Sequence, residues 1–284
     1  MRDSLALERA RPAGRVARRP LDAFAEVLSR PLYAAYAQRL RTQVLESRVP
    51  HHVAVILDGN RRWAETLGLA DAGAGHREGA GKVGQLLDWC AEIGIREVTL
   101  WALSTENLQR SPGELEALFD ALCEGLAALE QRGLGDEHPL RIRVIGRHGD
   151  LPPHVRTAIA RAERATAGRR GMALTIAIGY SGRDELIDAC RAVVLSLAEA
   201  GVPPTEIAQR VTRDSLAARL YTAGAPDPDL IIRTSGEQRL SGFLPWQSAH
   251  SELYLTDVYW PAFREIDLLR AVRSYQQRER RFGA

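Results

Sequence analysis

Lysine is almost missing from this chain: of 38 basic residues only Lys82 is lysine, and the other 37 are arginine. The codon bias of a GC-rich genome, which the abundance of Ala and Gly also suggests, accounts for most of them. A guanidinium nevertheless presents paired donors that match phosphate oxygens, so some of these arginines are candidates for anion binding. Cysteine is scarce as well. Cys90, Cys123 and Cys190 are widely spaced, odd in number and form no CxxC, which argues against a disulfide framework or a thiolate metal site and fits a reducing cytosol. No run approaches the roughly 18 apolar residues of a membrane span, and the N-terminus lacks the apolar stretch of a signal peptide. The chain is therefore expected to be cytoplasmic. A surplus of charge is also lacking: 38 basic against 36 acidic residues leave +2, without the field of a dedicated nucleic-acid binder, so no nucleic acid is expected as a partner.

What is present is an ordinary globular composition, 284 residues with 45% hydrophobic and 26% charged, enough to bury a sizeable core. Charge divides unevenly. Residues 1–50 carry ten arginines against five acids, whereas 51–284 carry 28 basic against 31 acidic residues. Within the basic arm, Leu21, Phe24, Val27 and Leu28, then Leu32, Tyr33, Tyr36, Leu40 and Val44, recur at helical spacing around Pro31. The arm (1–50) reads as an amphipathic helical extension that docks on its own domain, with peripheral contact to an anionic membrane surface as the alternative. From residue 53 short apolar runs alternate with longer 3.6-period segments, the signature of a mainly parallel sheet covered by helices. Strands are expected at 53–57, 98–103, 140–145, 173–178, 229–233 and 252–255, and helices at 77–93, 113–131, 153–167, 183–199 and 262–280. The joints are short, so residues 51–284 are expected to form a single α/β domain with a central six-stranded sheet.

In an open parallel sheet, ligands bind beyond the carboxyl ends of the strands. Three of those ends are polar: Asp58-Gly59-Asn60-Arg61-Arg62-Trp63 follows the first strand, Ser104-Thr105-Glu106-Asn107 the second, and Thr234-Ser235-Gly236-Glu237-Gln238-Arg239-Leu240-Ser241 follows Arg233 at the fifth. Each alone would read as a turn. Together their carboxylates, guanidiniums and hydroxyls suit one anionic site, and a diphosphate held through Mg²⁺ fits those residue types. Nucleotide motifs fail: Gly79-Ala80-Gly81-Lys82-Val83-Gly84 matches GxGxxG but follows no strand, lies inside a helical pattern and reads as helix packing. Neither GxSxG nor HExxH is present.

These segments resemble the cis-prenyltransferases, the family of undecaprenyl diphosphate synthase, over about residues 50–284. His52 to Ala64 is similar to the family's HxAxIMDGNxRWA signature, Leu103 to Asn107 to its FSxEN, and Asp229 to Ser241 with Phe243, Trp246-Gln247 and Glu252-Leu253-Tyr254 to its C-terminal block. The resemblance implies Mg²⁺-dependent condensation of isopentenyl diphosphate with an allylic diphosphate, such as geranyl or farnesyl diphosphate, in a fold with a hydrophobic tunnel for the growing chain. Asp58 would then take Mg²⁺ and the allylic diphosphate, with Gly59, Asn60, Arg61, Arg62, Trp63 and His76 around it. Arg233, Arg239, Leu240 and Ser241 would hold the isopentenyl diphosphate, with Thr105, Glu106, Leu108 and Arg110 nearby, and Glu252 would complete the metal site. Asn107, helped by Ser104, occupies the position of proton acceptance, although an amide is a poor base and a diphosphate oxygen is the alternative. The ending Arg281-Phe282-Gly283 resembles an RxG tail that reaches a partner's site, which implies a homodimer.

Three departures qualify the likeness: Leu108 stands where Trp is usual, Ala72 where Arg is usual, and Ser111 precedes Pro112. The STENLQR wording is most similar to actinobacterial members, some of which stop at short products, while the small Ala102 leaves the tunnel open. Two rivals stay in view: a non-catalytic subunit of a heteromeric prenyltransferase, against which Asp58 and Glu252 both count, and an irregular terpene-coupling enzyme on the same fold.

Overall fold

The computed structural model describes residues 34–278 apart from 70, 72 and 136. The expected helix at 21–28, the residues Leu32, Tyr33 and Ala72, and the tail Arg281-Phe282-Gly283 lie outside the described residues. The chain forms two units, 1–39 and 40–284. In the first, the described residues 34–39 are helical; the second contains the sheet and is the subject below.

Six strands form one sheet: β1 (His52–Ile56), β2 (Glu97–Ser104), β3 (Leu140–Ile145), β4 (Met172–Tyr180), β5 (Leu230–Arg233) and β6 (Glu252–Leu255). Their order is β3-β4-β2-β1-β5-β6, and every pairing is parallel. Each expected strand is present, with ends moved by a few residues. The central strands β1 and β5 are buried on both faces, while β3 and β6 at the sheet's edges are partly exposed, and alternate residues serve opposite sides as the pleat requires. Val53, Val55, Leu230 and Ile232 enter the larger core, while Ala54, Ile56 and Ile231 enter a smaller one with Tyr180, Phe243 and Leu244. Leu40 and Val44, from the second apolar run of the arm, are buried in the larger core.

The helices are α1 (Asn60–Thr66), α2 (Ala74–Glu92), α3 (Pro112–Leu134), α4 (Pro153–Thr166), α5 (Gly182–Glu199), α6 (Pro204–Arg210), α7 (Arg213–Ala217) and α8 (Glu265–Gln277). Five match the periodic segments of the sequence. The last begins at Glu265 rather than 262, because Trp260–Ala262 forms a separate 3₁₀ turn. The short α1, α6 and α7 carry too few buried residues to leave a periodic trace: Ala64 is the one buried residue in α1, and α6 and α7 have none. The GxGxxG segment lies within α2, where a Cβ on Gly79 would stand 2.2 Å from Asn60 Oδ1 and 2.9 Å from the Trp260 ring. It is a packing surface, as its lack of a preceding strand implied.

The chain leaving β1 crosses to β2 on one side, while the chain leaving β5 goes to β6 on the other. Since β1 and β5 are neighbours, their loops diverge and open a crevice beyond their carboxyl ends, the place where parallel sheets bind ligands.

Candidate active site

Asp58 stands two residues past β1, and its backbone is fixed by the neighbouring strand. The fully buried Thr234 hydroxyl accepts from the Asp58 amide at 2.9 Å and donates to the Asp58 carbonyl at 2.7 Å. Gly59 then turns the chain into α1 with φ 100°, and a Cβ there would lie 2.6 Å from the Tyr259 ring, so the turn requires glycine on both counts. Two guanidiniums converge on the Asp58 carboxylate. Arg233 Nη2 donates to Oδ2 at 2.8 Å and Arg62 Nη2 to Oδ1 at 3.2 Å. Burial pushes the Asp58 carboxyl up, but hydrogen bonds from Arg233 and Ser235 and the charges of Arg233 and Arg62 outweigh it and hold the group below the usual carboxylate range.

Arg233 is buried, and its other amino group donates to Ser241 Oγ at 2.8 Å and to the Arg239 carbonyl. Glu237 bridges outward, 3.4 Å from Arg62 and 2.5 Å from Arg239. Around the resulting cavity, of about 500 Å³, Arg61, Arg62, Arg110, Arg233 and Arg239 face two carboxylates, Asp58 and Glu237. Such a ring presents more cation than its own acids neutralise and suits a multiply charged anion. Ser104 and Asn107 close another side by a reciprocal pair: the Ser104 amide donates to Asn107 Oδ1 at 3.1 Å and the Asn107 amide to Ser104 Oγ at 3.2 Å.

The structure thus gathers Asp58, Gly59, Asn60, Arg61, Arg62 and His76 with Ser104, Asn107, Arg110, Arg233, Arg239 and Ser241 around one cavity. Trp63, Thr105, Glu106, Leu108 and Leu240 do not line it; Leu108 packs against the larger core and Leu240 against the smaller. Glu252 is also elsewhere within this chain. It begins β6 level with Leu230, at the opposite end of the sheet from Asp58, and pairs with Arg278 at 2.5 Å. Trp101 and Glu237 line the cavity without having been singled out, and Tyr259 lies beneath Arg62, whose guanidinium carbon is 5.6 Å from the ring centroid. Glu237 had a sequence signal, its place between Arg233 and Arg239; Tyr259 had none.

A second, narrow cavity, of about 70 Å³, adjoins the first and shares Leu57, Asn60, His76, Ala102 and Leu118 with it. Deeper in, its walls are apolar or small: Ala80, Val83, Leu100, Ala121, Gly125, Leu126, Leu129, Ile176 and Ile178. At the junction, Asn60 Oδ1 and His76 Nε2 are buried with no hydrogen-bond partner among the described residues. Burial and then the nearby Arg110 charge lower the His76 ring to about 4, so it is neutral near pH 7. Two orphaned polar atoms where an arginine ring meets an apolar cleft mark a place completed by a ligand.

Among the described residues no group of three or more His, Cys, Asp and Glu is placed to hold a metal. Mg²⁺ commonly uses one or two carboxylates plus substrate phosphates instead of an all-protein cage, so a lone Asp58 at an arginine-lined mouth fits that ion. No helix among the described residues is long and apolar enough to cross a membrane.

Residues 56–283 match the undecaprenyl diphosphate synthase (Prenyltransf) family. The chain is 51% identical to an isoprenyl transferase of Thermus thermophilus, across 90% of this chain and 97% of that one. It is 49% identical to a (2Z,6E)-farnesyl diphosphate synthase of Thermobifida fusca, across 89% and 97%. Lavandulyl diphosphate synthase from Lavandula x intermedia, solved in complex with dimethylallyl diphosphate, is similar with a TM-score of 0.77 and 32% identity, over 83% of this chain and 99% of that one.

Proposed function

The chain belongs to the undecaprenyl diphosphate synthase family and is a cis-prenyltransferase, and on that premise we propose that its arginine ring binds two diphosphates while the adjoining cleft takes the hydrocarbon chain. The observation that carries this reading is the junction itself. A polar cavity with five arginines shares a wall with an apolar one, which matches an allylic diphosphate, charged at one end and greasy at the other.

The allylic diphosphate belongs on Asn60, Arg61, Arg62 and His76, with its chain directed past Ala102 into the cleft. The isopentenyl diphosphate belongs on Arg233, Arg239 and Ser241. Asp58 would hold Mg²⁺ at this mouth, and the ion would supply neutralisation of the charge on the departing diphosphate. The arginines do the same by fixed electrostatics, which stabilises charge as the allylic C–O bond breaks. The isopentenyl double bond attacks the allylic carbon, the new C–C bond forms, diphosphate departs, and loss of a proton from the isopentenyl unit leaves a cis double bond. The Asn107 side-chain oxygen already accepts from the Ser104 amide. This favours a positioning role for Asn107 and a diphosphate oxygen as the proton acceptor.

A homodimer follows from the same reading. Its support is β6, the last strand of the sheet, where Leu253 and Leu255 are exposed. For the basic arm, docking on its own domain stays the main reading, supported by the burial of Leu40 and Val44, and contact with anionic membranes is the alternative; light scattering tests the homodimer and vesicle sedimentation the membrane alternative. For the reaction, purified protein is incubated with Mg²⁺, labelled isopentenyl diphosphate and geranyl or farnesyl diphosphate, and the products are chromatographed. A longer diphosphate in the cis series is expected, and its mobility gives the number of added units. Absence of incorporation would sink the reading, and a branched product made without isopentenyl diphosphate would favour irregular coupling.

A further inference from the structure

Behind the isopentenyl side of the cavity lies a carboxylate that the reaction does not use. Glu185, in the first turns of α5, is fully buried. Burying a carboxylate is costly unless its oxygens are hydrogen-bonded, and here each oxygen has two donors. Oε2 accepts from the Tyr180 hydroxyl at 2.6 Å and from Gln247 Nε2 at 3.2 Å; Oε1 accepts from the Tyr221 amide at 2.8 Å and from the same Gln247 nitrogen at 3.2 Å. All three partners are neutral and come from separate parts of the chain: the end of β4, the segment before β5, and the 3₁₀ turn Gln247–His250.

What these groups surround is the loop that bears Arg239 and Ser241. The Gly182 amide donates to the Gly242 carbonyl at 3.0 Å, and a Cβ on Gly182 would lie 2.1 Å from Pro245, so α5 presses directly on this loop. Tyr180 meets Phe243 edge-on at 6.2 Å, and Phe243 stacks at 5.1 Å on Trp101, a wall of the cavity. The loop cannot hold this shape alone. Ser241 and Leu244 have φ of 52° and 47°, and such left-handed non-glycine residues persist only where their surroundings over-determine them. On one flank Arg233 grips Ser241 Oγ and the Arg239 carbonyl. On the other, Gln247 is clamped by Glu185 and donates to Thr222 Oγ1 at 2.7 Å.

We propose that Glu185 is a positioning residue for the isopentenyl diphosphate: through Gln247 and Tyr180 it holds the Arg239–Ser241 loop in the strained shape that presents Arg239 and Ser241 to the substrate. This rests on the assignment of isopentenyl diphosphate to that loop. Since the allylic side is built from β1, α1 and α2, loss of the clamp is felt on one substrate and not on the other.

The test is steady-state kinetics of the full chain with each substrate varied in turn. Losing a hydrogen bond to a charged group typically amounts to about tenfold in affinity, so Glu185→Gln is expected to raise the KM for isopentenyl diphosphate at least tenfold. The KM for the allylic diphosphate, and kcat at saturation, should stay within about twofold; a general structural role would not produce such a split. Tyr180→Phe removes one hydroxyl donor to the Glu185 carboxylate, leaves the other three hydrogen bonds in place, and decides the matter should Glu185→Gln fail to fold: its KM should rise up to about tenfold, again for isopentenyl diphosphate alone. An unchanged KM for isopentenyl diphosphate, or an equal rise for both substrates, overturns the proposal. If the unaltered enzyme incorporates no isopentenyl diphosphate, it is the assignment of substrates that fails, and the two failures are told apart by that first measurement.

Discussion

Replacing Asp58 by Asn should invert the metal dependence of diphosphate binding. In the ligand-free protein, Asp58 neutralises Arg233 and Arg62, so an incoming diphosphate must compete with its carboxylate for the same guanidiniums. Like charges about 5 Å apart repel by about 3 kcal/mol at an effective dielectric of about 20, and salt reduces this. A residual of about 1.4 kcal/mol is tenfold in affinity. By isothermal titration in EDTA, inorganic diphosphate should therefore bind Asp58→Asn about tenfold more tightly than the unaltered protein. In millimolar Mg²⁺ the order should reverse, because the ion that turns the carboxylate from competitor into ligand has lost its anchor. Tighter binding to the unaltered protein in EDTA would refute the argument, as would equal benefit from Mg²⁺ in both.

The same substitution has a stability signature. Removing one partner of a buried ion pair costs roughly 3 to 5 kcal/mol. Here the Asp58 side chain is 29% exposed and Arg233 keeps Ser241 and the Arg239 carbonyl, so about 2 kcal/mol is expected. For a chain of this size that lowers Tm by about 4 to 8 °C, and added diphosphate should recover most of it. Turnover should fall far more than stability does.

Three further outcomes follow from the geometry. His76 titrates at about 4 in the folded protein against about 6.5 unfolded; the unfolded chain binds the extra proton between those values, so stability is full above pH 6.5 and falls by up to about 3 kcal/mol as pH drops toward 4. A diphosphate beside the ring favours its charged form, so calorimetry near pH 6 in buffers of different ionisation enthalpy should show proton uptake that His76→Gln abolishes. Gly59→Ala, forcing a Cβ against Tyr259 at positive φ, should cost about 2 to 4 kcal/mol in thermal melts and most of the turnover. Gly125 lines the apolar cleft with Ala80 across from it, a Cβ there lying 3.3 Å from that of Ala80; Gly125→Leu should fill the cleft and shift the chromatographed products to shorter chains.

How much could be read before the structure depended on whether burial or function wrote each segment. The central strands were legible because parallel strands buried on both faces are near-continuous apolar runs, and VAVIL admits few other readings; the edge strands β3 and β6 expose part of one face and showed instead as short apolar segments between turn signals. In α1, NRRWAET, the outward and cavity-facing side chains are chosen for the ligand and Ala64 alone is buried, so no helical period survives. The site divides in the same way. Asp58, Ser104 and Arg233 were found from residue order alone, since each ends or follows a strand whose carboxyl end opens on the crevice. His76 comes from a helix with no such marker, and only the family resemblance pointed to it; it reaches the cavity because Gly75 and Gly79 let α2 lie against Asn60. The strand-end rule also separates Glu252 from the rest, for a residue that opens ELYL in a parallel sheet must lie at the amino end. Resemblance placed it with Asp58, whereas register puts it level with Leu230. A contribution of Glu252 to the same metal would therefore have to come from outside the fold of a single chain, and metal binding measured across the monomer–dimer equilibrium would distinguish that case from a site built on Asp58 and substrate alone: affinity that rises with association requires the former, and affinity independent of protein concentration the latter.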